Sequence, residues 1–411
     1  MTMIFAQQPF NGSNGSNGSN GSNGSNGSNG SNGSNGSNGS NGFPGYSGWL
    51  TNPLLANAMD ISRESTVNPS EVTPAGLRKK GHLPPAQAWK GGGRLPPPDD
   101  ADYLRRWDAT TRFHLLYTEL ASGLEFESSA DGTGNVLCRS ANGDSEVLVS
   151  MTRPPRKVFE AQLAIVFERL PERADRIPEI LTQVVPQYAY WSAIANLHPA
   201  RTPWTIELTQ VALHFSMLVC QRLKHILACP RPVEYSPLVQ PIVLTPPYSA
   251  LPMGHATEAY MFAKMMQAIL SPKVSPATEI VDQLSLVAKR ISDNRIVAGL
   301  HFPVDGSSGY VLADALAAYV KALGSGGKIS PRRFNGAAYP IKAKEHDSRL
   351  VTDPAYIFAK GNEEFAGPAK FAAFSVRRSK IVEHMFQQAR AEVEYGRSSP
   401  TKAPGTGSGR P

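Results

Sequence analysis

The chain has 411 residues, of which 41% are hydrophobic, and it carries a formal net charge of +7 at pH 7. This length is enough for one large domain or two ordinary ones, with a sizeable core. Residues 331–411 hold 14 Lys and Arg against 8 Asp and Glu, so nearly all the surplus lies there and forms no basic stripe of the kind that nucleic-acid binding needs.

The N-terminal quarter has the composition of a linker. Residues 11–42 are a pure Asn-Gly-Ser repeat, which cannot bury a core and predicts a disordered tail over residues 1–43. Each repeat is formally a glycosylation acceptor, but the first residues lack the basic and apolar regions of a secretory signal. Residues 44–99 are rich in Pro and Gly and predict an extended arm, which could clasp a neighbouring subunit in a homo-oligomer.

Three cysteines are too few for a disulfide framework and lack metal-ligand spacing. No window reaches 18 uninterrupted apolar residues, which argues against a membrane span. The sequence therefore predicts a soluble, cytoplasmic protein.

From residue 100 onward the hydrophobic pattern is mainly helical. Asp99 and Asp100 can cap a helix that runs to about Ala121, and residues 124–149 alternate in the manner of a small β-hairpin or meander. The predicted fold is an all-α bundle with a minor β-hairpin insert over residues 100–330. A basic segment follows over residues 331–411, with one helix and a disordered tail. Helices are predicted over residues 157–170, 173–196, 204–228, 254–270, 276–298, 306–323 and 375–396.

Three basic clusters fall within 82 residues. The first runs from Lys224 to Arg231-Pro232, the second is residues 252–255, and the third runs from Asn294-Arg295 to His301 and Asp305. Arg supplies planar, permanently charged forks and Lys a movable point charge, a combination suited to a compact oxyanion. If the fold gathers these groups, phosphate and vanadate are the natural ligands.

Local spacing adds detail to this interpretation. Pro252-Met253-Gly254-His255 opens a helix, where unpaired N–H groups favour an anion and Gly254 permits close approach. His301 and Asp305 are four residues apart, so a carboxylate can lie one turn from the imidazole and fix its tautomer. Lys224 and Arg231, seven apart, share a face if the turn between them stays helical.

Lys-x6-Arg-Pro, Pro-x-Gly-His and Arg-x5-His-x3-Asp in this order closely resemble the signature of the type 2 phosphatidic acid phosphatase and vanadium-dependent haloperoxidase superfamily. The chain looks more like its soluble, haloperoxidase-related branch. The resemblance implies that Lys224, Arg231, Arg295 and the Gly254 N–H hold the oxyanion. It also implies that His301 ligates vanadate or forms a phosphohistidine, that His255 is the acid–base group, and that Asp305 orients His301. No divalent metal is expected.

Two positions depart from that signature, which usually has Ser where this chain has Met253 and Asn294. Asn294 can still donate a hydrogen bond, whereas the Met253 side chain cannot. Losing a hydroxyl donor to a charged oxygen costs about 1.5–3 kcal/mol, so Met253→Ser is expected to raise turnover or vanadate affinity. A thioether is also easily oxidised, which weighs against efficient halide oxidation if it faces the site.

The resulting functional hypothesis is a vanadate-binding, haloperoxidase-like enzyme that oxidises halide with hydrogen peroxide. The alternative is an acid phosphatase that hydrolyses phosphomonoesters through a phosphohistidine. A third hypothesis is a non-catalytic oxyanion-binding protein.

Overall fold

A computed structural model describes residues 97–184, 187–270, 277–339, 357–358, 364–368 and 371–398. The predicted tail over residues 1–43 and almost all of the arm over residues 44–99 lie outside the described residues. The chain divides into two compact units, with the boundary between His114 and Leu115.

In the first unit, the helix predicted from Asp100 is interrupted. The Asp100 side chain accepts a hydrogen bond from the Asp102 N–H, 3.1 Å away, and caps a short 3-10 helix over Ala101–Arg106. Helix α1 then begins at Ala109 and ends at Ala121. The side chain of Asp108 accepts from the Thr111 N–H at 3.0 Å. Two aspartate caps at this spacing favour two separate helices, because each carboxylate accepts a hydrogen bond from a free N–H group in the first turn of its own helix.

The second unit is mostly helical, as predicted. The helix expected over residues 173–196 is two helices, because residues 183 and 187 at its middle are not helical. The helix expected to begin at residue 306 begins three residues earlier, at Pro303, whose fixed φ suits a first turn. The helices are α2 Arg156–Arg169, α3 Arg173–Thr182, α4 Tyr188–Ala195, α5 Pro203–Leu227, α6 Pro232–Tyr235, α7 Gly254–Ile269, α8 Ala277–Val297, α9 Pro303–Ser325 and α10 Lys380–Ser398.

The β-structure is larger than the predicted hairpin. A five-stranded sheet has the order β1-β2-β3-β5-β6, in which β3 pairs with β5 in parallel and the other pairs are antiparallel. Strands β4 and β7 form a second, antiparallel pair. The strands are β1 Leu124–Ser128, β2 Thr133–Arg139, β3 Ser145–Thr152, β4 Lys328–Ile329, β5 Arg332–Asn335, β6 Ala366–Pro368 and β7 Phe374–Ser375.

Helices α5, α7 and α9 form the centre of the second unit, and α9 is buried along nearly its whole length. Gly309 of α9 faces the start of α7 so closely that a Cβ there would lie 2.7 Å from the Met253 carbonyl oxygen and 2.8 Å from the Ala256 Cβ. This contact brings the first turn of α7 against α9. Any larger residue at 309 would push the two apart.

Helix α10 packs against α5 and α9. Its Glu392 accepts hydrogen bonds from the N–H groups of Trp204 and Thr205, at 2.8 and 2.9 Å, and so satisfies the first turn of α5. The segment after residue 330 therefore contributes both strands and a helix to this unit. Among the residues that the structure describes, no helix has the length and apolar character needed to cross a membrane.

Candidate functional site

The first motif places two cations against the segment that precedes α7. Helix α5 ends before Arg231, which lies immediately before α6, so the turn between the two cations is not helical. Lys224 Nζ donates to the backbone oxygens of Ser249 and Ala250, at 2.9 and 2.7 Å. Arg231 donates from Nε to the backbone oxygen of Tyr248, at 3.0 Å. Both cations also lie over the Tyr248 ring, 5.5 and 5.4 Å from its centroid.

Burial acts strongly on both of these cations. It lowers the pKa of Lys224 to about 8, an effect that the charge of Arg231 reinforces and that Cys220 and Asp305 oppose. Burial also lowers the pKa of Arg231, although Asp305 acts in the opposite direction. Lys224 therefore loses part of its charge at mildly alkaline pH, whereas a guanidinium keeps its own.

The third motif supplies a buried imidazole–carboxylate pair. His301 Nδ1 lies 3.0 Å from Asp305 Oδ2, which also accepts the Phe302 N–H at 2.9 Å. Burial, followed by the charge of Arg231, lowers the pKa of His301 well below its usual value. The ring is therefore neutral, and because Nε2 faces a guanidinium donor of Arg231, the one ring proton is on Nδ1, directed at Asp305. Burial raises the pKa of Asp305 to about 7, although the Phe302 N–H and the charges of Lys224 and Arg231 act in the opposite direction. The lone pair on Nε2 accepts a hydrogen bond from Arg231 Nη1 at 2.9 Å.

His255, the second residue of α7, has a ring nitrogen that is free to accept a proton. Its Nε2 is buried and has no hydrogen-bond partner in the part of the chain that the structure describes. Burial and the charge of Arg295 lower its pKa to about 3, against the effect of the backbone at Val184 and Gln183. At neutral pH, this imidazole is an unprotonated base.

Arg295, on α8, is a buried cation for which the described part of the chain supplies no counter-charge. Its side chain is 0% exposed, and Nη2 donates to the backbone oxygen of Ile180 at 2.7 Å. Nε and Nη1 have no partner among the described residues, and burial lowers the pKa of Arg295 to about 10. An unpaired buried charge is strongly unfavourable, so these two donors point to an anion as their partner.

The neighbouring buried arginines differ from Arg295. Arg169 and Arg176 both donate to the carboxylate of Asp293, at 2.6 Å from its Oδ2 in each case. Glu172 also forms ion pairs with both arginines, so two carboxylates neutralise the two cations that join α2 and α3 to α8. Among the residues that the structure describes, no acidic side chain neutralises Arg295.

The side chain of Asn294, a possible modulator of the site in the sequence analysis, makes hydrogen bonds inside the protein. Its amide nitrogen donates to Glu179 Oε2 at 2.8 Å and to Gln183 Oε1 at 2.9 Å, and its oxygen accepts from Arg176 Nη1 at 3.2 Å. Both amide protons are thus used to hold α3 against α8. In this arrangement the side chain has no amide proton left for an oxyanion, and a hydrogen bond from it to a ligand would require one of these two contacts to break.

Met253 and Gly254 form the start of α7. The Met253 side chain is fully buried and its N–H donates to the Asp305 backbone oxygen at 2.9 Å, which ties the turn to α9. No side chain caps α7. Its first N–H groups therefore lack intrahelical acceptors, and they are available to an anion beside Gly254.

Replacing Met253 with Ser should lower stability and strengthen anion binding. Removing the buried thioether costs about 2–5 kcal/mol, while a new N-cap returns about 0.5–2 kcal/mol. The free energy of unfolding in urea should therefore fall by about 1–4 kcal/mol. Calorimetry should show that the variant binds phosphate roughly tenfold or more tightly, because the new hydroxyl donates one hydrogen bond to a charged oxygen. Met253→Ala makes a similar cavity without the hydroxyl, and equal affinities in the two variants would refute the prediction.

The structure brings residues of all three motifs within electrostatic range of one another. The pKa of His301 is lowered by burial and then by Arg231, Lys224, His255 and Arg295. Sequence analysis missed Glu258, whose carboxyl lies near Gly254, one turn further along α7. It is the first charged residue after His255 in an otherwise mostly apolar helix, and this isolation is the signal that was available.

A separate cleft of about 470 Å³ contains none of the motif residues. Its lining includes Lys264, Asp314 and Arg332, and Asp314 forms ion pairs with both cations, at 2.8 and 2.6 Å. The charges in this cleft therefore largely neutralise one another, unlike those around Arg295.

Comparison with known families corrects the assignment made from the motifs. The family model that matches is the collagen triple helix repeat, in 20 copies over residues 7–53, outside the described residues. The Asn-Gly-Ser repeat has Gly at every third position, as collagen does, and this periodicity was visible in the sequence. No match supports the phosphatase and haloperoxidase superfamily, so that assignment is wrong. No curated protein matches the chain.

Proposed function

We propose that the second unit binds a tetrahedral oxyanion among Lys224, Arg231, Arg295 and the first turn of α7, and hydrolyses phosphomonoesters there. The observation that carries the proposal is the buried guanidinium of Arg295, two of whose donors have no partner among the residues that the structure describes. Arginine presents its donors in a planar fork, which matches two oxygens of a phosphate group.

The pair of His301 and Asp305 supports a nucleophilic role for His301. Asp305 accepts the Nδ1 proton, so the lone pair is on Nε2. In the proposed first step, Nε2 forms a bond to phosphorus and the ester P–O bond breaks, with its electron pair leaving on the alcohol oxygen. In the second step, water attacks phosphorus, the P–N bond breaks, and phosphate and neutral His301 are regenerated. Arg231 Nη1, which now donates to Nε2, must turn to the anion before the first step.

His255 fits the role of proton carrier. Its Nε2 is unprotonated at neutral pH, because its pKa is about 3, but a nearby anion favours the charged form and raises that pKa. A phosphomonoester monoanion brings a proton of its own, which His255 can take and deliver to the leaving oxygen. Fixed cationic side chains stabilise the charge on the transferred phosphoryl group.

Vanadate is the second candidate ligand, because the unpartnered donors of Arg295 and the Nε2 of His301 suit any tetrahedral oxyanion that accepts a nitrogen ligand. The residues present fit that group, and bound vanadate would supply the activation of hydrogen peroxide for halide oxidation. The preference for this chemistry rested on the family resemblance, which the comparison overturned. Phosphoryl transfer needs the chain's own residues alone, so it becomes the first candidate.

The full-length protein can separate these candidates. Release of p-nitrophenol from p-nitrophenyl phosphate, inhibited by orthovanadate, supports hydrolysis. Turnover should fall as the pH rises above about 6, where the ester loses its second proton. If the protein instead brominates a phenol dye with peroxide and bromide, and only when orthovanadate is added, halide oxidation would replace hydrolysis as the proposed function. Phosphate binding in calorimetry with neither activity would leave a non-catalytic oxyanion-binding protein, and the absence of binding would refute the whole proposal.

A further inference from the structure

Glu258 lies on the accessible face of α7, one turn after Gly254. Gly254, His255 and Glu258 keep part of their surface exposed, whereas residues 256, 257 and 259–263 are buried. Residues three and four apart on a helix are neighbours on one face, so the three residues form one strip. This strip lies at the end of the helix where the free N–H groups point.

The Glu258 carboxyl folds back towards the helix start. Its Oε1 lies 3.8 Å from the position that a Cβ on Gly254 would occupy. Helical side chains lean towards the N-terminus, which explains this direction. The carboxyl therefore lies beside the backbone that the proposed function assigns to the oxyanion.

A carboxylate at this point would conflict with a bound anion, since like charges repel. Lys224 does not resolve the conflict, because its Nζ donates to the backbone oxygens of Ser249 and Ala250. No ion pair joins Lys224 to Glu258 in the described part of the chain. A neutral carboxyl, by contrast, carries an O–H that can donate to the anion.

The surroundings of Glu258 favour the neutral form. Burial raises the pKa of Glu258 to about 7, although the charge of Lys224 acts in the opposite direction. Glu258 also interacts electrostatically with two other titratable groups, Cys220 on α5 and Tyr248 in the segment before α7. On its own helix His255 shares the strip. Three further groups belong to the site: Arg295 on α8, His301 two residues before α9, and Asp305 on α9.

We infer that Glu258 is an oxyanion-binding residue that takes up a proton together with the oxyanion, donates a hydrogen bond to it, and repels it when ionised. This inference rests on the proposed oxyanion site. According to this inference, Glu258 makes the anion affinity depend on pH. Affinity is highest where the carboxyl is protonated and falls as the pH rises through neutrality.

The test uses inorganic sulfate, because its charge stays constant in the pH range of interest and the probe does not titrate. Sulfate affinity is measured by isothermal titration calorimetry on the full-length chain at pH 6 and pH 8. The decrease in affinity between these two pH values should be about tenfold larger in the wild type than in Glu258→Gln, because the variant binds one proton fewer together with sulfate. The two proteins should bind within about twofold of each other at pH 6, and at pH 8 the variant should bind about tenfold more tightly. Glu279→Gln, an exposed glutamate at the start of α8, removes the same charge elsewhere and should behave as the wild type.

The outcomes distinguish this inference from the proposed function. If Glu258→Gln binds sulfate with the wild-type pH dependence, the inference fails and the oxyanion site stands. If the folded wild type binds neither sulfate nor phosphate at any pH, the proposed function fails. If Glu258→Gln does not fold, proton uptake by the wild type provides the test. Calorimetry of sulfate binding at pH 8, in buffers of different ionisation enthalpy, should show an uptake of about one proton or more per sulfate. An uptake near zero would overturn the inference.

Discussion

Replacing Arg295 with Met should abolish anion binding and leave the protein at least as stable as before. A buried ion pays a desolvation penalty of roughly several kcal/mol, and a Met of similar volume removes this penalty. The Ile180 carbonyl, which accepts from Nη2, loses its donor at a cost of about 1–3 kcal/mol. The free energy of unfolding in urea should therefore stay the same or rise by up to about 3 kcal/mol.

The effect on binding should be much larger. Each charge-assisted hydrogen bond to the anion is worth about 1.5–3 kcal/mol. Loss of Nε and Nη1, the two donors without a partner in the described ranges, should weaken phosphate binding about 100-fold or more in calorimetry. The stabilisation that added phosphate gives to the wild type should disappear accordingly, since it follows from binding to the folded state.

Arg169 offers a matched control, because it is also a buried arginine but is paired with Asp293. Arg169→Met should lower the free energy of unfolding by about 3–5 kcal/mol, since it breaks a buried ion pair, and should leave phosphate affinity unchanged. Opposite signs of the stability change in the two variants are the expected signature. If Arg295→Met is destabilised like Arg169→Met and still binds phosphate, Arg295 has a partner inside the protein and the central observation fails.

Replacing His301 with Ala should abolish any hydrolysis of p-nitrophenyl phosphate, because no nitrogen remains to form the bond to phosphorus. Asp305→Asn should leave the fold intact but reduce turnover about 10²- to 10⁴-fold. An amide in place of the carboxylate that accepts the Nδ1 proton no longer fixes the tautomer. His225→Asn, a change at an exposed histidine of α5, should keep full activity.

Rapid-quench measurements provide the second readout for His301. Phosphate on a histidine nitrogen is labile in acid and stable in base, so the wild type should show a base-stable phosphoprotein during turnover and His301→Ala should show none. A His301→Ala variant with full turnover, or with the same phosphoprotein, would eliminate the proposed mechanism.

The helical part of the fold was largely predictable from the sequence, for local reasons. Apolar periodicity and Pro or Gly breaks placed α2, α5, α7, α8 and α9 within a few residues of their observed bounds. Strands β5 and β6 were not predicted, because each is only a few residues long and pairs with partners far away in the chain. Short strands of this kind carry almost no periodic signal of their own.

The site was predictable in its residue types but not in its contacts. Spacing alone suggested that Asp305 reaches His301, because four residues make one helical turn. No spacing could show that Asn294 donates both amide protons to Glu179 and Gln183. Nor could it show that Arg295 has no carboxylate partner in the part of the chain that the structure describes. Those facts depend on how α3 packs against α8, a long-range contact. The family assignment failed for a related reason, since short motifs without a wider match do not define a family.

The close approach at Gly309 has a kinetic consequence. Because no side chain separates the two helices there, the turn that carries His255 cannot slide independently of the helix that follows His301. The two imidazoles are then held in a fixed mutual position whether or not an anion lies between them. We therefore expect stopped-flow records of anion association to show a single phase whose rate increases linearly with anion concentration, without a plateau from a slow closing step.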